Sequence, residues 1–269
     1  MDGLFVTDDG RTIGGVLMDM RNTTLRFGGV EAIKGISFDP REAEIRAISG
    51  PNGAEKSSIL NFINGFYVPQ GGEVWFRGAK RPVMKPYQVA PQGIARTFQN
   101  IALFEEMTRL DNIITGRLTE MKTNMFGQAI WWGKAQREEV ENREHVEKVI
   151  DCLEIQAVRM RPVGQLPSGL KKRVKLARAL SAEHKLLLLG EAMAGMNVEE
   201  KEGMSHFVLD VKDEFGAIIA LIEHDMGVVM DLSDRVVVMD FGRGIGDGTP
   251  SEVRNNQEEI NAYPGASHG

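Results

Sequence analysis

The sequence predicts an α/β protein built around a parallel β-sheet. Three short apolar runs in the second half have no polar alternation, as is typical of central strands buried on both faces. Helical patterns lie between these runs, and such an alternation of strand and helix indicates a doubly wound core. The runs are residues 186–189, 217–222 and 236–239.

The first third predicts an antiparallel sheet, then a strand, a tight loop and a helix. Two segments alternate apolar and polar residues, as strands with one buried face do. A short apolar run then stops at Gly50, as a buried strand entering a loop does. The predicted strands are residues 16–27, 32–38, 44–49 and 73–76, and the predicted helix is residues 57–66.

The middle of the chain has a different character and predicts a helical insertion over residues 100–165. Residues 138–154 are charged and amphipathic, which favours a surface helix. Trp131 and Trp132 precede that helix. We therefore expect a single domain over residues 1–269, with this insertion and a C-terminal tail at residues 250–269.

Composition excludes several classes of protein. A formal charge of −6 argues against a general nucleic-acid binder. The single cysteine, Cys152, excludes an internal disulfide framework and suits a reducing cytoplasm. No apolar run approaches the roughly 18 residues that span a bilayer, and the first residues do not have the layout of a signal peptide. If the protein works at a membrane, we expect it to dock onto partners that span it.

Residues 50–58 have the frame of a phosphate-binding loop, G-x-x-x-x-G-K-[ST]. In such a loop, backbone N–H groups and a helix N-terminus surround the phosphates, the lysine neutralises charge and the hydroxyl ligates Mg²⁺. The alternative is a chance turn before a helix. The residues are Gly50, Pro51, Asn52, Gly53, Ala54, Glu55, Lys56, Ser57 and Ser58.

Glu55 stands where this pattern has its second glycine. Glycine lets the backbone come close to the phosphates, and a side chain is in the way. The carboxylate also adds repulsion of about 1 kcal/mol or more at short range from a triphosphate. We expect Glu55 to weaken phosphate binding.

With five further segments in the same order, the chain resembles the ATP-binding cassette (ABC) family over nearly its whole length. That resemblance implies a P-loop NTPase core with a parallel sheet, an N-terminal antiparallel β subdomain and an inserted helical subdomain. The segments are 96–100 (the Q-loop), 166–170 (a divergent signature motif), 186–191 (the Walker B strand), 194–197 (the D-loop) and 222–225 (the switch segment).

Within the family, the chain is similar to ATPase subunits of branched-chain amino acid importers. The similar stretches are residues 25–30, 64–67, 93–100 and 221–226. Urea and amide importers of the same group remain open as alternatives.

The resemblance assigns roles to individual residues. Glu191 would be the general base, His224 would bridge Glu191 and the γ-phosphate, and Gln99 would lie near Mg²⁺ and the attacking water. Ser57 and Gln99 would contact the metal. The alternatives are a solvated strand end for Glu191 and a structural histidine for His224.

Three further positions follow from the same resemblance. Ser168 and Gly169 would present N–H and hydroxyl groups to the γ-phosphate of ATP on a partner subunit. Phe27 falls where the family stacks an aromatic ring on adenine, although we favour core packing for it.

Gly190 is a second departure, because the family has an aspartate there that holds Mg²⁺ through a water molecule. Glycine offers no ligand. Smaller departures are Ser49 at the end of the strand before the loop, Ala43 in a turn where the family often has glycine, and Ala192 in place of a proline.

Three functions are therefore open. The first is the energising subunit of an amino acid importer, with ATP and Mg²⁺ as ligands and a position on the cytoplasmic face of the inner membrane. Its partners would be transmembrane permease subunits, a second nucleotide-binding subunit that is an identical or related chain, and, indirectly, a periplasmic or extracellular binding protein. The second is a cassette that has lost turnover. The third is a soluble ABC ATPase that acts on DNA or ribosomes, which the acidic composition disfavours.

Overall fold

The computed structural model describes residues 5–81, 83, 85–97, 102–117 and 134–255. The chain divides into two compact units. The first contains residues 1–96 and 185–269, and the second contains residues 97–184. The second unit thus extends past residue 165, the predicted end of the helical insertion. No helix within the described ranges has both the length and the apolar character needed to cross a membrane.

The first unit is built on a six-stranded sheet in the order β12-β11-β5-β10-β9-β8. β5 pairs in parallel with β10 and β11, β9 pairs in parallel with β10, and β12 is antiparallel to β11. All five residues of β9 and of β10 are buried, which confirms the prediction from their unbroken apolar runs. All five residues of β5 are also buried, although two of them, Arg46 and Ser49, are polar. The strands are β5 (Ile45–Ser49), β8 (Ile94–Thr97), β9 (Leu186–Gly190), β10 (Ile218–Ile222), β11 (Arg235–Asp240) and β12 (Arg243–Gly248).

The remaining strands form two antiparallel sheets. A four-stranded sheet has the order β4-β3-β6-β7, as the alternation of the first third predicts. The hairpin β1–β2 was not predicted, although Asp9-Gly10 between apolar residues is a turn signal, and Gly10 takes the left-handed φ of 81° that such a turn needs. The strands are β1 (Phe5–Val6), β2 (Thr12–Ile13), β3 (Met18–Phe27), β4 (Val30–Phe38), β6 (Gly71–Phe76) and β7 (Ala79–Lys80).

The first long helix ends earlier than its periodicity predicts. It stops at Ile63 rather than at residue 66 because Asn64 caps it and Gly65 turns away with a φ of 77°. The Asn64 side chain also donates to the Leu60 carbonyl at 3.1 Å. The α-helices are α1 (Lys56–Ile63), α2 (Pro86–Val89), α3 (Arg109–Arg117), α4 (Lys134–Cys152), α5 (Ser168–Ser181), α6 (Val198–Phe215), α7 (Met226–Leu232) and α8 (Pro250–Arg254).

The second unit packs α3, α4 and α5 together. Arg117 at the end of α3 donates from Nε to Asn142 Oδ1 of α4 at 2.9 Å. Ser181 of α5 donates to the Ile113 carbonyl of α3 at 2.8 Å. The predicted helix at 138–154 is confirmed as part of α4 except for its last two residues, because α4 ends at Cys152. Trp131 and Trp132 lie outside the described residues.

A cluster of charges around the buried guanidinium groups of Arg46 and Arg235 lies on the first unit beside β5 and β11. Arg235 Nη2 pairs with Asp39 Oδ1 at 2.8 Å and its Nη1 with Glu44 Oε1 at 3.3 Å, while Arg46 Nη2 pairs with Asp247 Oδ1 at 2.5 Å. These five residues form what we call the buried ion-pair cluster. Burial raises the pKa of Glu44 to about 7. Asp39 is the opposite case: burial opposes its ionisation, but the Arg235 guanidinium outweighs this and holds its pKa below the usual value.

Candidate functional site

The candidate site residues of the first unit lie together at one edge of the six-stranded sheet. Parallel strands end at the same edge, so the segments that follow β5, β9 and β10 lie side by side there. Residues 50–58 follow β5, Glu191 follows β9, and Glu223 follows β10. Crevices at such edges are where open α/β sheets bind ligands.

The loop after β5 packs tightly on its own backbone. Gly50 has a φ of 149°, and a Cβ there would collide with the Met239 carbonyl oxygen. The buried Lys56 donates from Nζ to the carbonyls of Gly50 at 2.6 Å and Pro51 at 2.9 Å. The lysine thus holds its own loop closed over the N-terminus of α1, which begins at this residue.

Glu55 is the residue immediately before α1, and its backbone is left-handed with a φ of 65°. Its exposed carboxylate accepts a hydrogen bond from Ser58 Oγ at 2.7 Å. A left-handed backbone costs a non-glycine residue about 1 kcal/mol. The structure thereby adds a backbone reason for glycine at this position, one that sequence analysis missed.

Glu191 and Gly190 end β9 in contrasting ways. Gly190 is buried and lies in register with Ile222 of β10, so it brings no side chain to the edge. Glu191 is exposed, has a φ of 51°, and donates its N–H to the Ile222 carbonyl at 2.9 Å. Burial lowers the pKa of Lys56, and the carboxylates of Glu191 and Glu223 oppose that shift. Both carboxylates therefore act electrostatically on the loop lysine.

Glu223 makes contacts at this edge that sequence analysis did not predict, although it lies within the segment 222–225 named there. Its side chain is only 1% exposed, and Oε1 accepts the Met193 N–H at 2.8 Å. Ser49 Oγ donates to the Glu223 carbonyl at 3.2 Å, which accounts for a hydroxyl at the end of the buried strand β5. Glu223 thus ties together the three segments that follow β5, β9 and β10. A charged residue directly after a five-residue apolar strand was the available signal.

His224 projects from a backbone that is anchored on both sides. Its own side chain is 52% exposed, with Nδ1 3.9 Å from Glu223 Oε2. Asp225 caps α7 by accepting N–H groups from Gly227 at 3.1 Å and Val228 at 3.4 Å, and it forms an ion pair with Lys201 of α6. Within the described part of the chain, no hydrogen bond joins the His224 and Glu191 side chains.

Comparison with known proteins identifies the family. Residues 33–194, well over half of the chain, match the ABC transporter family. The chain belongs to the ABC transporter family. The resemblance seen in the sequence motifs is thereby confirmed.

Several relatives and one solved cassette resemble this ABC protein over most of its length. It is 32% identical over 249 residues to the high-affinity branched-chain amino acid transport ATP-binding protein BraF of Pseudomonas aeruginosa, covering 93% of this chain and 98% of BraF. It is 31% identical, over the same shares of each chain, to LivG of Escherichia coli K12, which has the same description. The ADP conformation of the ATP-binding cassette MJ1267 superposes with a TM-score of 0.79 at 27% identity, covering 93% of this chain and 99% of that cassette. The fold class expected from the resemblance is confirmed.

Phe27 corrects one expectation. We favoured core packing, but this ring at the end of β3 is 43% exposed. It meets Tyr67 edge-on, with the ring centroids 4.8 Å apart and the planes at 74°. An edge-to-face pair holds one ring in place and leaves part of it accessible. The strand ends at Phe27 and Gly28 follows with a φ of 57°, so the ring lies at a turn instead of in the core.

The remaining predicted positions divide between the second unit and the undescribed residues. Ser168 and Gly169 open α5, whose N-cap Pro167 supplies no side-chain hydrogen bond, and no acidic residue lies in its first turn. The first N–H groups of α5 are therefore not satisfied by a capping side chain. Gln99 lies outside the described residues.

Magnesium is the metal that the ABC family implies. The Ser57 hydroxyl in the first turn of α1 and the nearby Glu191 carboxylate are oxygen donors suited to it. Among the described residues, no group of three or more histidine, cysteine, aspartate or glutamate side chains could hold a metal ion. The residues present therefore fit Mg²⁺ that arrives with nucleotide phosphates, which would supply the remaining ligands.

Proposed function

We propose that this chain is the ATP-binding subunit of an importer for branched-chain or related amino acids. The observation that carries the proposal is the convergence of the loop at 50–58, Glu191 and the Glu223–His224 segment on one sheet edge, in a chain that aligns with BraF almost end to end. The chain would bind Mg-ATP, pair with a second cassette and act with permease subunits on the cytoplasmic face of the membrane.

The residues at the edge have separate tasks in this proposal. Lys56 and the first N–H groups of α1 would receive the phosphates, and Ser57 would hold Mg²⁺. Glu191 would orient a water molecule and accept its proton as the water attacks the γ-phosphorus. The bond to the β-phosphate oxygen breaks, which leaves ADP and phosphate. Such transfer depends chiefly on positioning and charge neutralisation.

Two observations support a second candidate, a cassette that binds nucleotide with little or no turnover. Glu55 places a carboxylate at the entrance to the phosphate loop on a left-handed backbone. Gly190 removes the carboxylate that the family places at the end of β9. Losses of this kind at single catalytic groups cost roughly 10²-fold.

Calorimetry of Mg-ATP binding to this chain and to the double repair Glu55→Gly, Gly190→Asp tests the proposal. Micromolar binding before repair supports an ATP-binding subunit, and turnover with the permease then decides between the two candidates. Failure of both proteins to bind would contradict both candidates. Glu202→Gln, an exposed change on α6, is the control and should leave binding unchanged.

The segment before α3 is the proposed permease contact. Phe104 is 53% and Met107 42% exposed. The buried Asn112 fixes this segment, because its Oδ1 accepts the Phe104 N–H at 2.9 Å and its Nδ2 donates to the Phe104 carbonyl at 3.0 Å. Phe104→Ala should weaken co-purification with the permease while nucleotide binding stays unchanged. Val198→Ala, at a 70% exposed site on the first unit, is the control; equal recovery of both variants would exclude this contact.

A further inference from the structure

The turn after β9 carries Glu191 and is joined to the end of β10 at two points. The Glu191 N–H donates to the Ile222 carbonyl at 2.9 Å. Two residues further along, the Met193 N–H donates to Glu223 Oε1 at 2.8 Å. The first contact links two backbones and is open to any residue, whereas the second depends on one side chain.

Glu191 needs support from this turn because its own backbone is unfavourable. Its φ of 51° is left-handed, a conformation that residues other than glycine rarely adopt. Such conformations persist where the surrounding contacts over-determine them. The Glu191 carbonyl accepts the Ala194 N–H at 3.3 Å, and Met193 is only 1% exposed, so the turn is compact and packed. Loss of the hydrogen bond to Met193 would therefore let the backbone that carries Glu191 relax.

A buried carboxylate is an unusual choice of acceptor for a single N–H group, because burial disfavours its charge. Burial raises the pKa of Glu223, and the hydrogen bond from Met193 opposes that shift. The surroundings give the charge a purpose. Glu223 Oε2 lies 3.9 Å from Nδ1 of His224, and the Glu223 carboxylate acts together with that of Glu191 on Lys56. Glu223 thus interacts with three residues to which the proposed function assigns the nucleotide chemistry.

His224 is bounded by two anchors that reach the same stretch of chain. Glu223 on one side joins Met193 in the turn after β9. Asp225 on the other side pairs with Lys201 in α6, the helix that follows this turn. The Asp225 pair is about one-third exposed, whereas the Glu223 side chain is 1% exposed. Water screens the buried contact less, so Glu223 is the stronger of the two anchors.

We infer that Glu223 is a positioning residue for ATP hydrolysis: its hydrogen bond to Met193 holds the turn after β9 so that Glu191 and His224 keep one arrangement. The inference rests on the proposed function for the roles of Glu191 and His224, whereas the hold on the turn requires no nucleotide. Displacing a reacting group by about 1 Å can cost about 10²-fold in rate. Loss of this contact should therefore lower the rate much more than the affinity for nucleotide, which Lys56 and the N-terminus of α1 would provide.

Amide hydrogen exchange of the full chain without nucleotide tests the hold on the turn. Glu223→Ala removes the acceptor and should speed exchange in residues 191–196 about tenfold or more, as loss of a hydrogen bond to a charged group does. Glu223→Gln keeps an acceptor oxygen and should restore most of the protection. Thr249→Ala, which removes the buried acceptor of the Glu252 N–H in α8, is the matched control and should leave the turn unchanged. Unchanged exchange in Glu223→Ala, or an equal rise in Thr249→Ala, would overturn the inference.

Turnover and Mg-ATP affinity separate positioning from a merely structural role. The same three substitutions are compared in the unaltered chain and in the Glu55→Gly, Gly190→Asp repair. Glu223→Ala should lower kcat about tenfold to 100-fold and change the Kd for Mg-ATP less than about threefold, and Glu223→Gln should recover most of the rate. Parallel losses of rate and affinity, or no recovery with glutamine, would overturn the inference. If neither chain binds or hydrolyses ATP, the proposed function fails, and hydrogen exchange alone decides whether Glu223 holds the turn.

Discussion

The buried ion-pair cluster and the candidate site at one edge of the same sheet both contain acidic residues, but these residues differ in burial and in backbone conformation. In the cluster, Asp39, Glu44 and Asp247 each lie within 4 Å of a buried guanidinium. At the edge, Glu55 and Glu191 are exposed on left-handed backbones. The cluster therefore contributes to the stability of the fold, whereas Glu55 and Glu191 keep backbone conformations that are unfavourable for residues other than glycine.

The largest expected effect comes from breaking the cluster. Arg235→Met should lower the free energy of unfolding by about 3 kcal/mol, because the buried Glu44 loses its guanidinium partner and the half-buried Asp39 loses one of its guanidinium partners. Urea denaturation followed by circular dichroism measures this. Arg26→Met, which removes an exposed pair with Glu31, is the control and should change stability by no more than about 0.5 kcal/mol. Equal effects would mean that the cluster contributes no more than a surface pair.

The second effect is a pH dependence within the cluster. The pKa of Glu44 is raised to about 7 from the usual 4.5, so the folded chain binds this proton more tightly than the unfolded chain. The resulting stabilisation is complete below pH 4.5 and is lost as the pH rises through 7.

Glu44→Gln, which keeps an acceptor for the Arg41 N–H, should remove that dependence. Relative to this variant, the unaltered chain should lose at most about 1.4 kcal/mol per pH unit between pH 5 and 7. Urea titrations at four pH values from 5 to 8 would show this. Parallel stability curves for the two proteins would contradict a raised pKa at Glu44.

The third prediction separates the electrostatic cost of the Glu55 carboxylate from the conformational cost of its left-handed backbone. Glu55→Ala removes the carboxylate but keeps a side chain on the left-handed backbone, whereas Glu55→Gly removes both. We expect both variants to bind Mg-ATP more tightly, and only the glycine variant to gain stability, by about 1 kcal/mol. Calorimetry and thermal unfolding measure the two quantities. A similar stability gain in the alanine variant would show that the backbone is not the cause.

The smallest effect concerns the anchor beside His224. The Lys201–Asp225 pair is about one-third exposed on each side chain, so Lys201→Met should cost about 0.2–1 kcal/mol of stability. Its effect on discrimination between ATP and ADP should be larger than that of Lys80→Met, which breaks the exposed pair with Glu73 far along the chain. Competition titrations with the two nucleotides give the ratio. Identical ratios would mean that the ion pair does not position the switch segment.

The central strands β9 and β10 could be predicted because burial on both faces requires an unbroken run of apolar residues. β9 and β10 begin and end within one residue of their predicted limits. The end of α1 could not be predicted from periodicity, because Asn64 and Gly65 stop the helix while apolar spacing continues to Phe66. Caps and left-handed residues depend on backbone geometry that hydrophobic patterns do not report.

The site was predictable as a set of motifs and much less so as an arrangement. Lys56 could be named from the spacing of the loop motif and Glu191 from the resemblance to the ABC family, and the Glu191 carboxylate acts electrostatically on Lys56. The role of Glu223 depends on contacts with Met193 and Ser49, which are 30 and 174 residues away in the sequence. The buried charges of Arg46 and Glu44 were equally hidden, since a polar residue in an apolar run does not reveal a partner across the sheet.

Gly50 limits which amino acid substitutions this chain can tolerate during evolution. Any side chain there would strike the Met239 carbonyl, so the fold itself rejects every other amino acid, whether or not nucleotide is ever bound. Persistence of Gly50 therefore says nothing about selection for ATP use. Glu55 is exposed, and packing does not exclude other side chains at its position. The residue found there can therefore reflect relaxed or altered selection. Among descendants of this gene, a return to glycine at position 55 would therefore be informative about selection for ATP use.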